Sequence, residues 1–187
     1  MKTFKQFFCI FILFKLIFLF FFSHSLMAIE EPDYKLIKKE GKFEHRDYKT
    51  LLMIKTTSNL NSTNSSFRVL ANYIFGNNDT EKKIAMTAPV IMDSNTKDFE
   101  TMMFVLPKSI NINDAPNPNN SAVIVKEENL NELVSLTFSG RTTPSKVQKK
   151  CNLLREWAKK NNILIHPDFF YVSRYNPPWV LPPFRKN

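Results

Sequence analysis

Residues 67–92 read FRVLANYIFGNNDTEKKIAMTAPVIM, and a helical pattern changes to a strand pattern within them. Apolar side chains first recur at the spacing of one helix face, at Phe67, Leu70, Ala71 and Ile74. From Ile84 to Met92 apolar residues then occupy every second position, as in a strand with one buried face. Pro89 has no N–H to donate, so we expect this strand to be bulged or at a sheet edge. The stretch therefore predicts an α-helix followed by β-structure.

Strand patterns also precede and follow this stretch. Short apolar or β-branched runs predict strands at 34–39, 43–48, 51–57, 101–106, 122–126, 134–138 and 169–175. A second helix is predicted after Thr143–Pro144, with an apolar stripe at Val147, Cys151, Leu154 and Ala158. Short connections favour antiparallel pairing, and the two halves of the chain have a similar layout. We therefore expect an α+β fold, with helices packed against antiparallel sheets.

The first 28 residues have the pattern of an export signal. A basic start precedes an apolar run at 7–22, which is interrupted only by Lys15, and small residues follow. Cleavage is expected after Ser25 or Ala28. The alternatives are an uncleaved membrane anchor, although 16 residues are fewer than the roughly 20 of a typical span, and a buried helix. With a signal or an anchor, the domain at 29–187 is exported, as a periplasmic or secreted protein.

The composition of the chain argues against several classes of protein. Three widely separated glycines cannot form a Gly-rich phosphate loop, and two cysteines with three histidines lack the spacing of a zinc site. Without the leader, Cys151 is the one cysteine left, which excludes an internal disulfide. No G-x-S-x-G elbow is present, and we expect no enzyme. The formal charge is +9, but the lysines are scattered, so we expect no nucleic-acid partner.

An apolar ligand site is a more plausible use of these residues. The apolar face of the first helix is close in sequence to methionines, whose soft side chains suit an irregular apolar pocket; these are Met86, Met92, Met102 and Met103. Arg68 lies beside the same face, where a cation could pair with a carboxylate of a flat apolar ligand. For any one of these apolar residues, core packing is the simpler interpretation.

Several motifs resemble those of one family. The segment KIAMTAPV at 83–90 resembles the signature of the SOUL/heme-binding protein family. Further similar segments occur in the same order along the chain: GKFEHRDY at 41–48, FRVLANYIFG at 67–76, TMMFVLP at 101–107, LTFSG at 136–140 and RYNPPWVLPPFRKN at 174–187. Together they span nearly all of 29–187.

The resemblance implies a distorted antiparallel β-barrel of two pseudo-repeated sheets, flanked by two α-helices. It also implies that heme or another tetrapyrrole binds in a shallow apolar groove beside the first helix. The macrocycle would lie on Phe67, Leu70 and Ala71, close to Met86. Its propionates would point to Arg68 and to Lys82 or Lys83. Asn72, like Asn64, occupies a position where studied members of the family have a basic residue, and Arg68 shares that helix face.

An iron ligand is less clear from the resemblance. One branch of the family has a histidine ligand at the position that Asp47 occupies here, and His45 lies two residues earlier, on the same strand face. His45 is therefore a candidate axial ligand, although a surface strand histidine is the simpler interpretation.

Two other functions remain open for this scaffold. The groove could bind a different small molecule or carry a weak hydrolytic activity. Alternatively, the domain could be a protein-interaction scaffold whose groove is filled by its own side chains. A membrane contact is expected only through an uncleaved N-terminal segment, and the oligomeric state is left open.

Overall fold

The computed structural model describes residues 29–59, 63–93, 99–167 and 169–187. The strands and helices in chain order are β1 (Tyr34–Glu40), β2 (Phe43–Asn59), α1 (Thr63–Ile74), β3 (Val90–Asp93), β4 (Phe99–Val105), β5 (Ile124–Leu136), α2 (Pro144–Lys160) and β6 (Tyr171–Arg174), followed by a 3₁₀ turn at Pro182–Phe184. The predicted leader at 1–28 lies outside the described residues. Within those residues, no helix has the length and apolarity needed to cross a membrane.

The strands form one curled antiparallel sheet that is organised around β2. One edge of β2 pairs first with β1 and then with β4, and its other edge pairs with β5 from Phe43↔Leu136 to Lys55↔Ile124. Beyond β4 the sheet continues through β3 to β6. The α+β class, the antiparallel barrel-like sheet and the two helices predicted from the sequence are thus confirmed.

Successive side chains of the strands alternate between two apolar cores on opposite faces of the sheet. The first core lies under α1 and includes Leu52, Ile54, Met102 and Phe104. The second core is formed by the alternate residues of β2 and β4 and by one residue of β3. Its buried members are Met53, Ile91, Met103 and Val105. Both faces of the sheet are therefore covered, by α1 on one face and by α2 with the C-terminal region on the other.

A buried asparagine organises the end of α1. The side-chain amide of Asn78 donates to the carbonyl oxygens of Tyr73 (3.0 Å) and Lys82 (2.8 Å), and its oxygen accepts the N–H of Lys82 (3.0 Å). Gly76 has a φ of +111°, and a Cβ there would lie 3.1 Å from the carbonyl oxygen of Glu81. The chain therefore turns back on itself after the helix and runs beside its C-terminal end.

The C-terminal end of α2 is fixed to the β1–β2 hairpin. The Trp157 ring stacks on Phe43 at 5.5 Å between centroids, and its indole N–H donates to Glu40 (2.7 Å). The other end begins at Pro144, and Thr143 precedes it without a side-chain cap. Along the rest of α2, the apolar stripe faces the sheet.

Three strand predictions need correction. The strands expected at 43–48 and 51–57 are one continuous strand, β2, which pairs with β5 along both segments. The strand expected from Ile84 to Met92 begins only at Val90, because the N–H groups upstream donate elsewhere: that of Ile84 to Ile74 (2.8 Å) and that of Ala88 to Glu30 (2.8 Å). The strands expected at 122–126 and 134–138 are one continuous strand, β5, because the polar residues between them also pair with β2.

Candidate functional site

The outward surface of α1 carries two exposed aromatic side chains. Phe67 is 43% exposed and its ring packs against Phe104, with 5.3 Å between centroids, whereas Phe75 is 65% exposed. Phe67 lies within α1, and Phe75 directly follows Ile74, its last residue. Eight residues correspond to about 12 Å of helical rise. The spacing leaves an apolar surface long enough for a flat ligand.

Polar and basic side chains border this surface. Arg68 and Asn72 are exposed one turn apart on α1, and no ion pair is formed by Arg68 among the described residues. Lys83 is exposed beside Gly76, at the C-terminal end of the helix. Met86 is partly buried against the first core. We call the surface formed by Phe67, Phe75, Arg68, Asn72 and Lys83 the first-helix face.

Two of the expected site residues lie beneath this face. Leu70 is fully buried and Ala71 is 6% exposed, and Leu70 packs in the first core. Their helical spacing thus indicates core packing, the simpler of the two interpretations from the sequence. A ligand on the first-helix face would contact Phe67 directly, with Leu70 supporting the helix from below.

His45 is not brought to the first-helix face. It lies nine residues from Ile54, the part of β2 that α1 covers, which corresponds to roughly 30 Å of strand. Its Nε2 lies 2.9 Å from a carboxylate oxygen of Glu132 on β5. Nor does any group of three His, Cys, Asp or Glu in the described part of the chain form a cluster suited to a metal ion.

A cavity of about 380 Å³ lies on the other face of the sheet, between the strands, α2 and the segment that follows it. We call it the α2 cavity. Its walls are mainly apolar and come from the second core, from β5 and from the stripe of α2; they include Met53, Ile91, Met103, Leu133, Leu154 and Phe169. The apolar stripe of α2 was predicted correctly from the sequence, but its pattern did not indicate that space remains between the helix and the sheet.

A network of charged and aromatic groups forms one wall of the α2 cavity. Arg46 donates to Glu44 through Nε (2.8 Å) and to the Tyr48 hydroxyl through Nη1 (3.0 Å), and it also hydrogen-bonds to Tyr175. Its guanidinium lies 4.3 Å from the Tyr34 ring centroid. Burial opposes the charge of Arg46, but the partners Tyr48, Glu44 and Tyr175 outweigh it and raise the pKa. The network therefore keeps a permanent cation at the cavity wall.

Ser135 lines the cavity and has a buried hydroxyl group without a hydrogen-bond partner among the described residues. It lies on β5 directly opposite Glu44 and lines the cavity. Among the described residues, its Oγ is the one buried side-chain nitrogen or oxygen atom without a hydrogen-bond partner. Buried polar groups are normally paired, so this hydroxyl is a feature that needs an explanation.

Three side chains of α2 bring further chemistry to the cavity. Lys150 lies 5.8 Å from the Phe138 ring centroid, and Arg155 hydrogen-bonds to Asn152, but neither forms a salt bridge with a described residue. Between them lies Cys151, whose thiol pKa is raised by burial, although the nearby Arg155 charge acts in the opposite direction. The α2 side of the cavity is thus positively charged.

A family model matches the sequence of this domain. The model described as SOUL heme-binding protein matches residues 29–187, which is the whole described region. The chain belongs to the SOUL heme-binding protein family. Heme-binding protein 2 of Homo sapiens is 25% identical over 168 residues, and that of Mus musculus is 27% identical over 172 residues. In both comparisons the match covers 82% of this chain and 82% of the relative.

Solved structures share the fold of this SOUL domain. An uncharacterized conserved protein from Listeria innocua superimposes with a TM-score of 0.55 at 11% identity, covering 78% of this chain and 88% of that one. A structure described as a hydrolase from the same organism has a TM-score of 0.52 at 9% identity, covering 80% and 90%. At such low identity the likeness concerns the fold alone.

Sequence analysis of the SOUL domain missed both Ser135 and the network around Arg46. Ser135 alternates with Val134 and Leu136, a pattern that assigns the serine to the more polar side of a half-buried strand. In the structure the sheet curls and α2 covers that region, so both sides of the strand end are partly buried. The one available signal was the alternation of Glu44, Arg46 and Tyr48, three polar residues on a single strand face.

Proposed function

We propose that this chain is an exported protein that binds heme or a related tetrapyrrole on the first-helix face. Membership of the SOUL family, together with two relatives named heme-binding protein 2, supports a tetrapyrrole ligand. The leader at 1–28 has the composition of an export signal, which supports a role outside the cytoplasm.

The observation that carries the location is the exposure of Phe67 in α1 and of Phe75 directly after it. Exposed aromatic side chains offer apolar surface that a ligand can bury, and a planar macrocycle can stack on phenyl rings. Eight residues separate Phe67 from Phe75, about 12 Å of helical rise, a distance that one flat macrocycle can span. Binding of this kind gains free energy mainly from burial of apolar surface.

Charge would orient the macrocycle on this face. Arg68 and Lys83 are exposed at its border, and carboxylates such as propionates pair with guanidinium and ammonium groups. Asn72 offers hydrogen bonds in place of a cation. Because these groups are exposed, the pairing is weak and sensitive to salt, and it contributes orientation more than affinity.

A protein ligand to the iron is not part of the proposal for this face. His45 lies on the distant half of β2, where it pairs with Glu132. We therefore expect hemin bound here to have no strong axial histidine, and its Soret band to lack the features of histidine ligation. The His45→Ala variant should bind hemin as the parent protein does.

Hemin titration of the purified protein, followed by the Soret band, tests the proposal. Phe67→Ala and Arg68→Glu should each weaken binding, roughly 3–10-fold, because they remove part of the apolar platform and reverse one orienting charge. Matched controls are Phe184→Ala and Arg141→Glu, which change exposed residues of the same types elsewhere. If the controls weaken hemin binding as much as the test variants, or if none of them does, the first-helix face is not the site.

The export part of the proposal has a separate test. N-terminal sequencing of the protein recovered outside the cytoplasm should show a chain that starts after Ser25 or Ala28. A protein found only in the cytoplasmic fraction with its original N-terminus would contradict export, and it would leave the hemin result unaffected.

A further inference from the structure

We propose that the α2 cavity is a second binding site, for a small amphipathic anion: a molecule with an apolar body and one acidic group. This site is distinct from the first-helix face, because the two lie on opposite faces of the sheet. The proposal stands on three observations, namely the size and lining of the cavity, the unpaired hydroxyl of Ser135, and the charges of α2.

The cavity has the dimensions and lining of a small-molecule pocket. Its volume of about 380 Å³ falls within the range of roughly 300–1,000 Å³ that is typical of ligand sites. Most of its wall is formed by aliphatic, methionine and aromatic side chains, among them Met53, Met103 and Leu154. Protein interiors are normally close-packed, so the side chains around a space of this size lose dispersion contacts. An apolar guest would restore those contacts.

Ser135 indicates that the guest also carries a polar atom. Ser135 is one of the residues that line the cavity, and its buried Oγ has no partner among the described residues. An unpaired buried hydroxyl costs free energy, and a serine at this position gives nothing that alanine would not give to packing. An oxygen of a bound ligand placed against Oγ would supply the missing hydrogen bond.

The charges around the cavity favour an anion over a cation. The two acidic side chains that line it are already engaged: Glu31 with Lys186 (3.0 Å) and Glu132 with His45 (2.9 Å). The two cations of α2, Lys150 and Arg155, have no salt-bridge partner in the described part of the chain. An acidic group at this wall would therefore be paired, whereas a basic one would face uncompensated positive charge.

Binding of 1-anilino-8-naphthalenesulfonate, an amphipathic anion whose fluorescence rises in apolar surroundings, is the first measurement. We expect saturable binding with one site per chain. Three competitors with the same alkyl chain then test the head group: dodecanoate, dodecanol and dodecyltrimethylammonium, each below its micelle threshold. Dodecanoate should displace the dye at concentrations at least tenfold lower than the ammonium compound. Equal displacement by the anion and the cation would overturn the proposed charge preference.

Variants locate the site. Leu154→Trp fills the cavity and should abolish the fluorescence change, while near-ultraviolet circular dichroism verifies that the variant is folded. Lys150→Gln should weaken dye binding roughly 3–10-fold, which corresponds to the loss of one charge-assisted bond. Lys149→Gln is the matched control, because Lys149 is the neighbouring exposed lysine and does not line the cavity. The proposal is overturned if both lysine variants behave alike, or if Phe67→Ala rather than Leu154→Trp removes the dye signal.

Cys151 provides a readout that leaves the cavity wall intact. In a Cys9→Ser chain it is the one thiol, and it lines the cavity between Lys150 and Arg155. Saturating dodecanoate should slow its alkylation by iodoacetamide, an uncharged reagent, at least fivefold. An unchanged alkylation rate at saturating dodecanoate would place the fatty acid elsewhere and refute the assignment.

Discussion

Replacement of Ser135 by alanine should stabilise the ligand-free protein, which is the opposite of the usual effect of a substitution at a buried site. Its Oγ is buried and unpaired, and an unsatisfied buried hydroxyl costs about 1–3 kcal/mol. Alanine removes that cost. Since the substitution removes a single oxygen atom, at a residue that lines an existing cavity, it creates little new void. Against this gain stands a strand-propensity loss of a few tenths of a kcal/mol.

The net expectation is a gain of about 1 kcal/mol in the free energy of unfolding. For a domain of this size, such a gain raises Tm by roughly 2–4 °C. Urea denaturation and differential scanning calorimetry, both without ligand, measure the two quantities. The urea m-value should stay unchanged, because the substitution does not alter the surface that unfolding exposes.

Ser66→Ala is the matched control for this prediction. Ser66 is also a buried serine, at 2% exposure, but its Oγ lies 2.5 Å from the Oγ of Ser58. Loss of that bond should cost about 1 kcal/mol, offset by a few tenths from the better helix propensity of alanine. If Ser135→Ala destabilises the protein as much as Ser66→Ala does, the hydroxyl of Ser135 has a partner in solution, and the argument for a missing ligand atom fails.

Three further predictions concern the cores and the polar network. The Glu44 carboxyl has a lowered pKa, because Lys39 and Arg46 outweigh its burial; its stabilisation is therefore complete above about pH 4.5 and is lost as the pH falls below that value. In urea unfolding, Glu44→Gln should be less stable than the parent protein at pH 7 and should lose less stability on acidification. The same pH dependence of stability as in the parent protein would contradict this. Burial raises the pKa of Tyr73 from 10.0 to about 12, so stability should fall between these pH values, and Tyr73→Phe should reduce that fall in thermal melts. Leu70→Ala should cost about 2–5 kcal/mol in urea unfolding and Phe67→Ala clearly less; equal costs would contradict their different burial.

The sequence was most informative where periodicity and burial coincide. The spacing of Leu70, Ala71 and Ile74 gave α1 correctly, and the Thr143–Pro144 pair gave the start of α2. These patterns work because one face of each helix packs against the sheet over several turns. The class of the fold followed from the alternation of such segments with strand patterns.

Periodicity was less informative where the backbone bonds irregularly. The residues from Ile84 to Ala88 alternate like a strand, yet their N–H groups donate to the end of α1 and to Glu30. The alternation of apolar residues indicates which side chains are buried, but it does not indicate which backbone groups are hydrogen-bonded. The same limit applies to Phe67, which shares the helical spacing of its buried neighbours but lies at the edge of the packed face.

The two faces of the sheet differ in how completely they are covered, and this difference decides what kind of ligand each can hold. Among the described residues, eleven buried side chains form the core under α1 and only four form the core on the other face. Under α1, Leu70 and Ala71 are buried in the core, so a ligand at this helix would lie outside, against Phe67 and Phe75. On the other face, the α2 cavity leaves space that a ligand can enter. An outer site of this kind should respond mainly to salt and to surface substitutions, since its charges are exposed. The enclosed site should respond mainly to cavity volume, as Leu154→Trp tests, so the two sites can be told apart by what weakens them.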